Sequence, residues 1–236
     1  MMDVGSRQYL WTSIRTVRSP TSGSKTSRRG RPRAEDSPAS SDEILLAALR
    51  AFATRGYDGT SVRELNQQLG VSHNLLNRRF GSKEQLWRAT VDHWIGDVVA
   101  ELAAVISDDE GDPLETLRRL IIRFIEVQAR RPELARLMNI ESSIDGPRLR
   151  YLFDQFISPW AATADHLTEE LVAAGRIRAL PPGTLYFLVA YGATGMAAHP
   201  PFAKLVGVTD PTDPAVIHAH AVAVAELMLT PPSTET

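Results

Sequence analysis

Apolar residues recur at helical spacing from Ile44 to Leu229, and nowhere do they alternate with the two-residue period of a strand. Ile44, Leu45, Ala48, Leu49 and Phe52 form the first stripe. They predict a helix over Ser41–Gly56, capped by Ser41 or Asp42, with Glu43 in its first turn and Gly56 at its end. Tyr57-Asp58-Gly59 is a turn signature. Val62, Leu65 and Leu69 give a second helix. Ser61 caps it, and Glu64 three residues later completes a Ser-x-x-Glu capping box. Gly70 stands where a helix ends in the left-handed conformation that glycine adopts cheaply. Ser72 then reads as the cap of a third helix whose inward face is Leu75, Leu76 and Phe80. His73, Asn74, Asn77 and Arg78 remain outside, grouped on one short surface. Ser61–Phe80 is therefore predicted to be a helix-turn-helix with a recognition helix.

The pattern stays helical to the end. Leu86, Val91, Ile95, Val98, Leu102 and Ile106 predict a long fourth helix from Lys83, followed by an acidic hinge, Ser107–Asp112. Asp112-Pro113 opens the fifth helix. Arg131-Pro132 breaks it and starts a short sixth, Glu133–Ile140. Asp145-Gly146-Pro147 opens a seventh that runs to Gly175, with a kink expected at Ser158-Pro159. An eighth spans Gly183 to about Ala198 and is stopped by Pro200-Pro201. After a loop over Lys204–Pro214, a last helix covers Ala215–Leu229. The expected fold class is all-α, with about nine helices and no solenoid repeat.

Charge changes the picture once it is divided. Residues 1–95 carry 15 Lys and Arg against 9 Asp and Glu; residues 96–236 carry 11 against 19, within a formal net charge of −2. A basic front and an acidic back suit a chain whose front meets a polyanion. Cysteine is absent, which excludes disulfides, Cys-ligated zinc and thiol catalysis. No apolar run is long enough for a transmembrane helix, so no membrane contact is expected.

Residues 1–40 carry Gly, Ser, Thr, Pro and Arg without a sustained apolar period and are expected to be a disordered basic arm. The first twenty residues loosely mimic a transit peptide but lack a long apolar core. We read them as a flexible tail or a start-site extension. Arg28–Arg33, with Arg29, Arg31 and Arg33, is similar to the Gly-Arg-Pro core of an AT-hook, whose arginines enter a narrow minor groove. The plainer alternative is a solvated linker with diffuse phosphate attraction.

The run ILLAALRAFATRGYDGTSVRELNQQLGVSHNLLNRRFGSKEQLWRA, Ile44–Ala89, resembles the DNA-binding domain of the TetR family of transcriptional regulators. The matching marks are Phe52, Gly56-Tyr57, Thr60-Ser61-Val62-Arg63, Leu65, Gly70-Val71-Ser72, Leu76, Phe80 and Gly81-Ser82-Lys83-Glu84. The resemblance implies four segments: the arm over 1–40, a helix-turn-helix domain over 41–88, a helical ligand-binding and dimerisation domain over 89–230, and a tail over 231–236. It also implies DNA-binding roles. His73 and Asn74 would reach base edges, with Asn77 and Arg78 one turn on. Thr60, Ser61 and Ser72 would offer helix N-termini to phosphates, and Arg63 and Lys83 would contact the backbone. The sequence departs from the family at Asn66, where a small residue is usual, and at Asn77 and Arg79, where aromatic residues are usual. Asn66 must turn its amide outward or find partners, because an unpaired buried amide costs about 1–3 kcal/mol.

The resemblance further implies a homodimer on a near-palindromic double-stranded operator, and release by a small-molecule effector. Gly192 and Gly195 on the eighth helix and Ala219 and Val222 on the ninth are the candidate dimer-interface residues. Small side chains there permit close helix approach. Met138, Phe153, Phe156, Trp160, Tyr186, Phe187 and Tyr191, with His166 as a polar handle, are candidate ligand-binding residues. An aromatic stripe at this spacing is equally the pattern of a core. No phosphate loop, nucleophile elbow or metal-ligand spacing stands out, and His218 and His220 fall on different helix faces. The chain is expected to be a cytoplasmic regulator, nucleoid-associated on its operator, with no catalytic residue, metal or cofactor. The alternative is an architectural or activating DNA-binding protein that uses its arm without ligand control.

Overall fold

The computed structural model describes residues 39–107 and 111–231, and all regular structure among them is helical. Residues 1–38 of the arm, 108–110 of the acidic hinge and 232–236 of the tail lie outside the described residues. Three short helices come first: α1 (Ser41–Arg55), α2 (Val62–Gln68) and α3 (Leu75–Phe80). Seven more follow: α4 (Lys83–Ser107), α5 (Pro113–Ala129), α6 (Pro132–Ser142), α7, α8, α9 (Pro200–Leu205) and α10 (Pro214–Met228). Helix α7 runs from Pro147–Leu152 through a π-helical turn, Phe153–Ile157, into Ser158–Ala173; α8 runs from Thr184–Phe187 through a second π-helical turn, Leu188–Ala193, to Gly195–Ala198.

Local chemistry places the ends. The cap of α1 is Ser40, one residue earlier than the sequence suggested. Its Oγ accepts from Glu43 N–H at 3.2 Å, and Glu43 Oε2 accepts from Ser40 N–H at 2.7 Å. A reciprocal box needs its carboxylate three residues past the cap, and only Ser40 stands in that relation to Glu43. Ser82 and Gln85 build the same device before α4, at 3.0 and 3.1 Å. Helix α7 ends at Gly175, φ 67°, where Arg176 N–H reaches back to the Leu171 carbonyl at 2.9 Å.

Two features differ from expectation. The kink at Pro159 takes the form of the π turn just before it. Proline has no N–H for the Gln155 carbonyl and its ring crowds that carbonyl, so a widened turn relieves both, and Ser158 N–H bonds to Phe153 O instead. Pro200-Pro201 both ends α8 and begins α9, a helix not expected from the sequence, where the prolines read as a stop and a loop begins at Lys204. Proline at the first helical position is compatible with a start as well as a stop.

Helix α5 packs against α4 on one side and α10 on another. Buried Leu117, Ile121 and Ile125 of α5 meet Leu171, Ala221, Ala225 and Leu229 in one apolar cluster. A second, larger cluster joins α1 to α7 without a break at residue 88. It includes Ile44, Leu49, Phe52, Leu65 and Leu76 together with Leu86, Trp87, Val91, Leu134, Leu137, Leu152 and Phe156. Helix α1 rests on α6, with an Arg50–Glu133 ion pair at 3.4 Å on the rim. The first three helices and the helical body thus share a core.

Candidate nucleic-acid interface

Asn66 organises the turn between α2 and α3. It is fully buried. Its Nδ2 donates to the Val62 carbonyl at 3.0 Å and to the His73 carbonyl at 2.9 Å, and its Oδ1 accepts from Leu76 N–H at 3.3 Å. The amide therefore finds partners rather than turning outward. One side chain ties α2 to the entry of α3 and satisfies backbone groups that a small residue would leave open.

That bond also corrects the cap of α3. The helix begins at Leu75, its flanking residue is Asn74, and no side-chain cap bond is made. Ser72 O accepts from Leu75 N–H at 2.9 Å in a tight turn that precedes the helix. His73 and Asn74 are consequently turn residues, and Ser72 Oγ receives Arg78 Nη2 at 3.2 Å instead of capping.

His73, Asn74, Asn77 and Arg78 are all exposed, as is Arg63 at the start of α2. This is the polar surface that the sequence grouped together. Ser61 is half-buried and caps α2 through Glu64 N–H at 3.4 Å. Thr60 is a correction. It is 2% exposed, and its hydroxyl donates to the Gly56 carbonyl at 2.8 Å, so it closes the end of α1 and cannot present itself to a phosphate. Arg79 folds back onto α1. Its Nη1 donates to Ala39 O at 3.4 Å and its Nη2 to Ser41 Oγ. Chain entering α1 at residue 39 therefore runs beside the end of α3. Arg29, Arg31 and Arg33 lie outside the described residues.

Lys83 stands at the edge of this surface, with its Nζ 4.4 Å from the Tyr57 ring centroid and 3.4 Å from Asp58 O. The same ring receives Arg148 of α7, whose Cζ lies 4.0 Å from the centroid. Arg148 Nε is fixed by Glu141 of α6 at 2.9 and 3.1 Å, and Glu141 is buried. Tyr57 thus shares its ring between Lys83, at the start of α4, and Arg148, a cation of the helical body. Nearby, Tyr151 OH donates to Asp92 Oδ1 at 2.6 Å, and Arg88 stacks on Tyr151 at 4.5 Å, which fastens α7 to α4. Burial raises the Asp92 carboxyl above its ordinary value, against the bond from Tyr151, and burial together with Asp92 raises the Tyr151 phenol.

The ligand-binding candidates do not come together in one place. Phe156 is buried in the larger cluster, with Met138 and Trp160 packed against it. Phe153 is 49% exposed on the π turn, and His166 is exposed, so it is no buried handle. Tyr186, Phe187 and Tyr191 form a separate aromatic group, with centroids 5.5–6.3 Å apart and Phe187 64% exposed; burial pushes the Tyr186 phenol up to about 12. Sequence reasoning passed over Trp87, Trp94 and Gln128. Trp87 Nε1, Trp94 Nε1 and Gln128 Oε1 are buried without a hydrogen-bond partner. Two tryptophans seven residues apart on a helix destined for the core were the available signal, because buried indole N–H groups normally find acceptors.

Among the dimer-interface candidates, Gly192 and Ala219 are exposed and Gly195 and Val222 half-buried. Nothing lies within 4 Å of a methyl group built on either glycine. Exposed Leu188 and Leu227 extend the apolar face on α8 and α10. His218 reaches Glu126 at 2.8 Å and His220 reaches Ala193 O at 2.9 Å.

Two family descriptions match this chain: bacterial regulatory proteins of the tetR family over residues 44–90, and the tetracyclin repressor-like C-terminal domain over residues 113–227. The HTH-type transcriptional repressor NicS of Pseudomonas putida is 24% identical over 148 residues, 63% of this chain and 68% of that protein. The HTH-type transcriptional regulator RutR of Escherichia coli is 29% identical over 149 residues, 62% of this chain and 68% of that one. The fold is that of the Bacillus subtilis regulator FadR solved with stearoyl-CoA, at a TM-score of 0.58 and 19% identity, covering 79% of this chain and 96% of that one. With a helix-turn-helix whose exposed face carries His73, Asn74, Asn77 and Arg78, seated on a helical body that matches the second description, the chain belongs to the TetR family of DNA-binding transcriptional regulators.

Proposed function

We propose that the protein represses transcription as a homodimer on a near-palindromic operator and is released by a small, largely apolar effector. The observation that carries this reading is the joint at Tyr57. A cation at the edge of the DNA-facing surface and a cation of the body share one ring, and the second is held by a buried carboxylate. A shift of α6 or α7 would be felt at Lys83 without crossing solvent. Coupling of this kind amounts to about 1–3 kcal/mol in operator affinity.

In this reading residues 41–88 form the DNA-binding head, with Asn74 and His73 at base edges, Asn77 and Arg78 beside them, and Ser72, Ser61, Arg63 and Lys83 toward phosphates. Residues 89–230 form the effector and dimerisation domain. The exposed apolar faces of α8 and α10, around Gly192, Gly195, Ala219 and Val222, would pair across a two-fold axis. The regulator would act in the bacterial cytoplasm, on the nucleoid when bound. FadR, a neighbour in fold, holds stearoyl-CoA, which supports an apolar effector in the body of this fold.

Selection from a random duplex library, with light scattering on the same sample, tests the reading. Expected are a mass of two chains and an inverted repeat with half-site centres about 34 Å apart. A monomer mass, or enrichment of AT-rich DNA without an inverted repeat, would favour architectural binding through the arm instead.

A further inference from the structure

We infer that the effector carries a carboxylate, seated against Trp94, Gln128 and Arg131. The inference rests on the proposed control by a small molecule and names the chemistry of that molecule. Trp94 of α4 is 6% exposed, and its indole N–H has no acceptor. Gln128 of α5 is 9% exposed, and its Oε1 has no donor. Arg131, at the start of α6, lies beside them: its Cζ lies 4.2 Å from the Trp94 ring centroid, and it follows Gln128 in the turn that ends α5, where its backbone N–H donates to the Gln128 backbone carbonyl at 3.1 Å. Arg131 is half-buried, and no carboxylate among the described residues pairs with it, although Arg123 and Arg130 on the same hairpin both bind Glu101.

Each feature asks for a different part of one ligand. An unpaired buried N–H or C=O is costly, so a molecule that completes it binds better than an apolar filler of the same shape. Indole N–H and guanidinium are both donors and together suit two carboxylate oxygens. The Gln128 oxygen suits a hydroxyl or N–H beside that carboxylate. The surroundings are apolar, with Phe124, Val127 and Leu134 in the same cluster. The chemistry is therefore an organic acid with an apolar aliphatic or aromatic body. A sugar or a cation would meet the wrong groups. The three residues also bridge α4, α5 and α6, so filling the site acts on the helix that starts at Lys83.

The test uses full-length protein labelled with 15N at tryptophan. Octanoate, 2-naphthoate and their methyl esters are added up to about 1 mM, the range of weak specific binding. The Trp94 indole resonance is assigned by its loss in Trp94→Phe. Both acids, or one of them, should move that resonance, and the ester should bind less well. Arg131→Met should weaken acid binding about ten- to a hundred-fold, leave ester binding unchanged and melt like the parent. Acids that leave the Trp94 resonance in place, or that bind Arg131→Met as tightly as the parent, overturn the site. Acid binding at Trp94 with no change in affinity for the selected duplex keeps the site and removes the proposed control. A neutral compound that releases the duplex without moving Trp94 keeps the control and removes the site.

Discussion

The side-chain amide of Asn66 donates to the backbone carbonyl of His73 at 2.9 Å, across the turn of the helix-turn-helix. The residue that departs from the family pattern is thereby the one that positions the first base-facing candidate. Asn66→Ala leaves the His73 carbonyl and the Leu76 N–H without partners. Unfolding in urea should show a loss of about 2–4 kcal/mol. Asn66→Asp should be worse, since a carboxylate would face the Val62 and His73 carbonyls with no proton to share. A loss under about 0.5 kcal/mol for the alanine variant would show that water replaces the amide.

Arg78 and Arg79 are neighbours with opposite fates. Arg78→Ala should abolish binding to the selected duplex with native helicity retained, because among the described residues its guanidinium bonds only to Ser72 Oγ, on an exposed surface. If Arg78 holds a phosphate, the salt slope of log affinity should also fall by about 0.9. Arg79→Ala should cost less in DNA affinity and loosen the start of α1, where Ala39 and Ser41 hold the guanidinium. Equal losses of affinity for the two variants would contradict the structure.

The Tyr57 joint predicts an asymmetric pair. Arg148→Met strands Glu141, which is 3% exposed, and should destabilise the protein by about 3–5 kcal/mol. Combining it with Glu141→Gln should restore much of that. A double-mutant cycle between Tyr57→Leu and Lys83→Met, read in DNA affinity, should give a coupling of about 0.5–2 kcal/mol. Strict additivity would mean that the ring does not position the lysine.

Asp92 predicts a pH effect. Its folded pKa is raised above the ordinary 3.8, first by burial, so the protonated form is favoured in the fold. That contribution is complete below 3.8 and is lost as pH rises through the raised value. At neutral pH Asp92→Asn should therefore be neutral or slightly stabilising, since it keeps an acceptor for Tyr151 OH and removes a partly desolvated charge. Tyr151→Phe should destabilise, because the carboxylate loses its donor. Thermal melts at pH 3.5 and pH 7 check the sign: the benefit of Asn over Asp should shrink at the lower pH.

Much of this molecule is written in local sequence. Ser61, Gly70, Pro113, Pro147 and Gly175 each act within four residues of themselves, and the ends that they mark stand where periodicity places them. The corrections share a different origin. Thr60 has the right residue type at a helix start, but its hydroxyl is taken by the end of the previous helix. Ser72 fails as a cap because the Leu75 N–H goes to its backbone carbonyl, the Leu76 N–H goes to the Oδ1 of Asn66, six residues before Ser72, and its hydroxyl accepts from Arg78 instead. The aromatic residues of α7 and α8 have the same period and composition, yet packing sends Phe156 inward and leaves Phe187 outside. Helical period gives the face of a side chain, but tertiary packing decides what that face meets.

The core that runs unbroken from α1 to α7 bears on how such regulators can be recombined. A head grafted from a relative would arrive with half of an interface, because Phe52, Leu76 and Leu86 pack in the same cluster as Leu134, Leu152 and Phe156. A chimaera that keeps the operator preference of one parent and the effector of another would need α6 and the first turns of α7 matched to the incoming Tyr57. Without that match Lys83 and Arg148 would meet no common ring in the hybrid, and the joint between head and body would be lost.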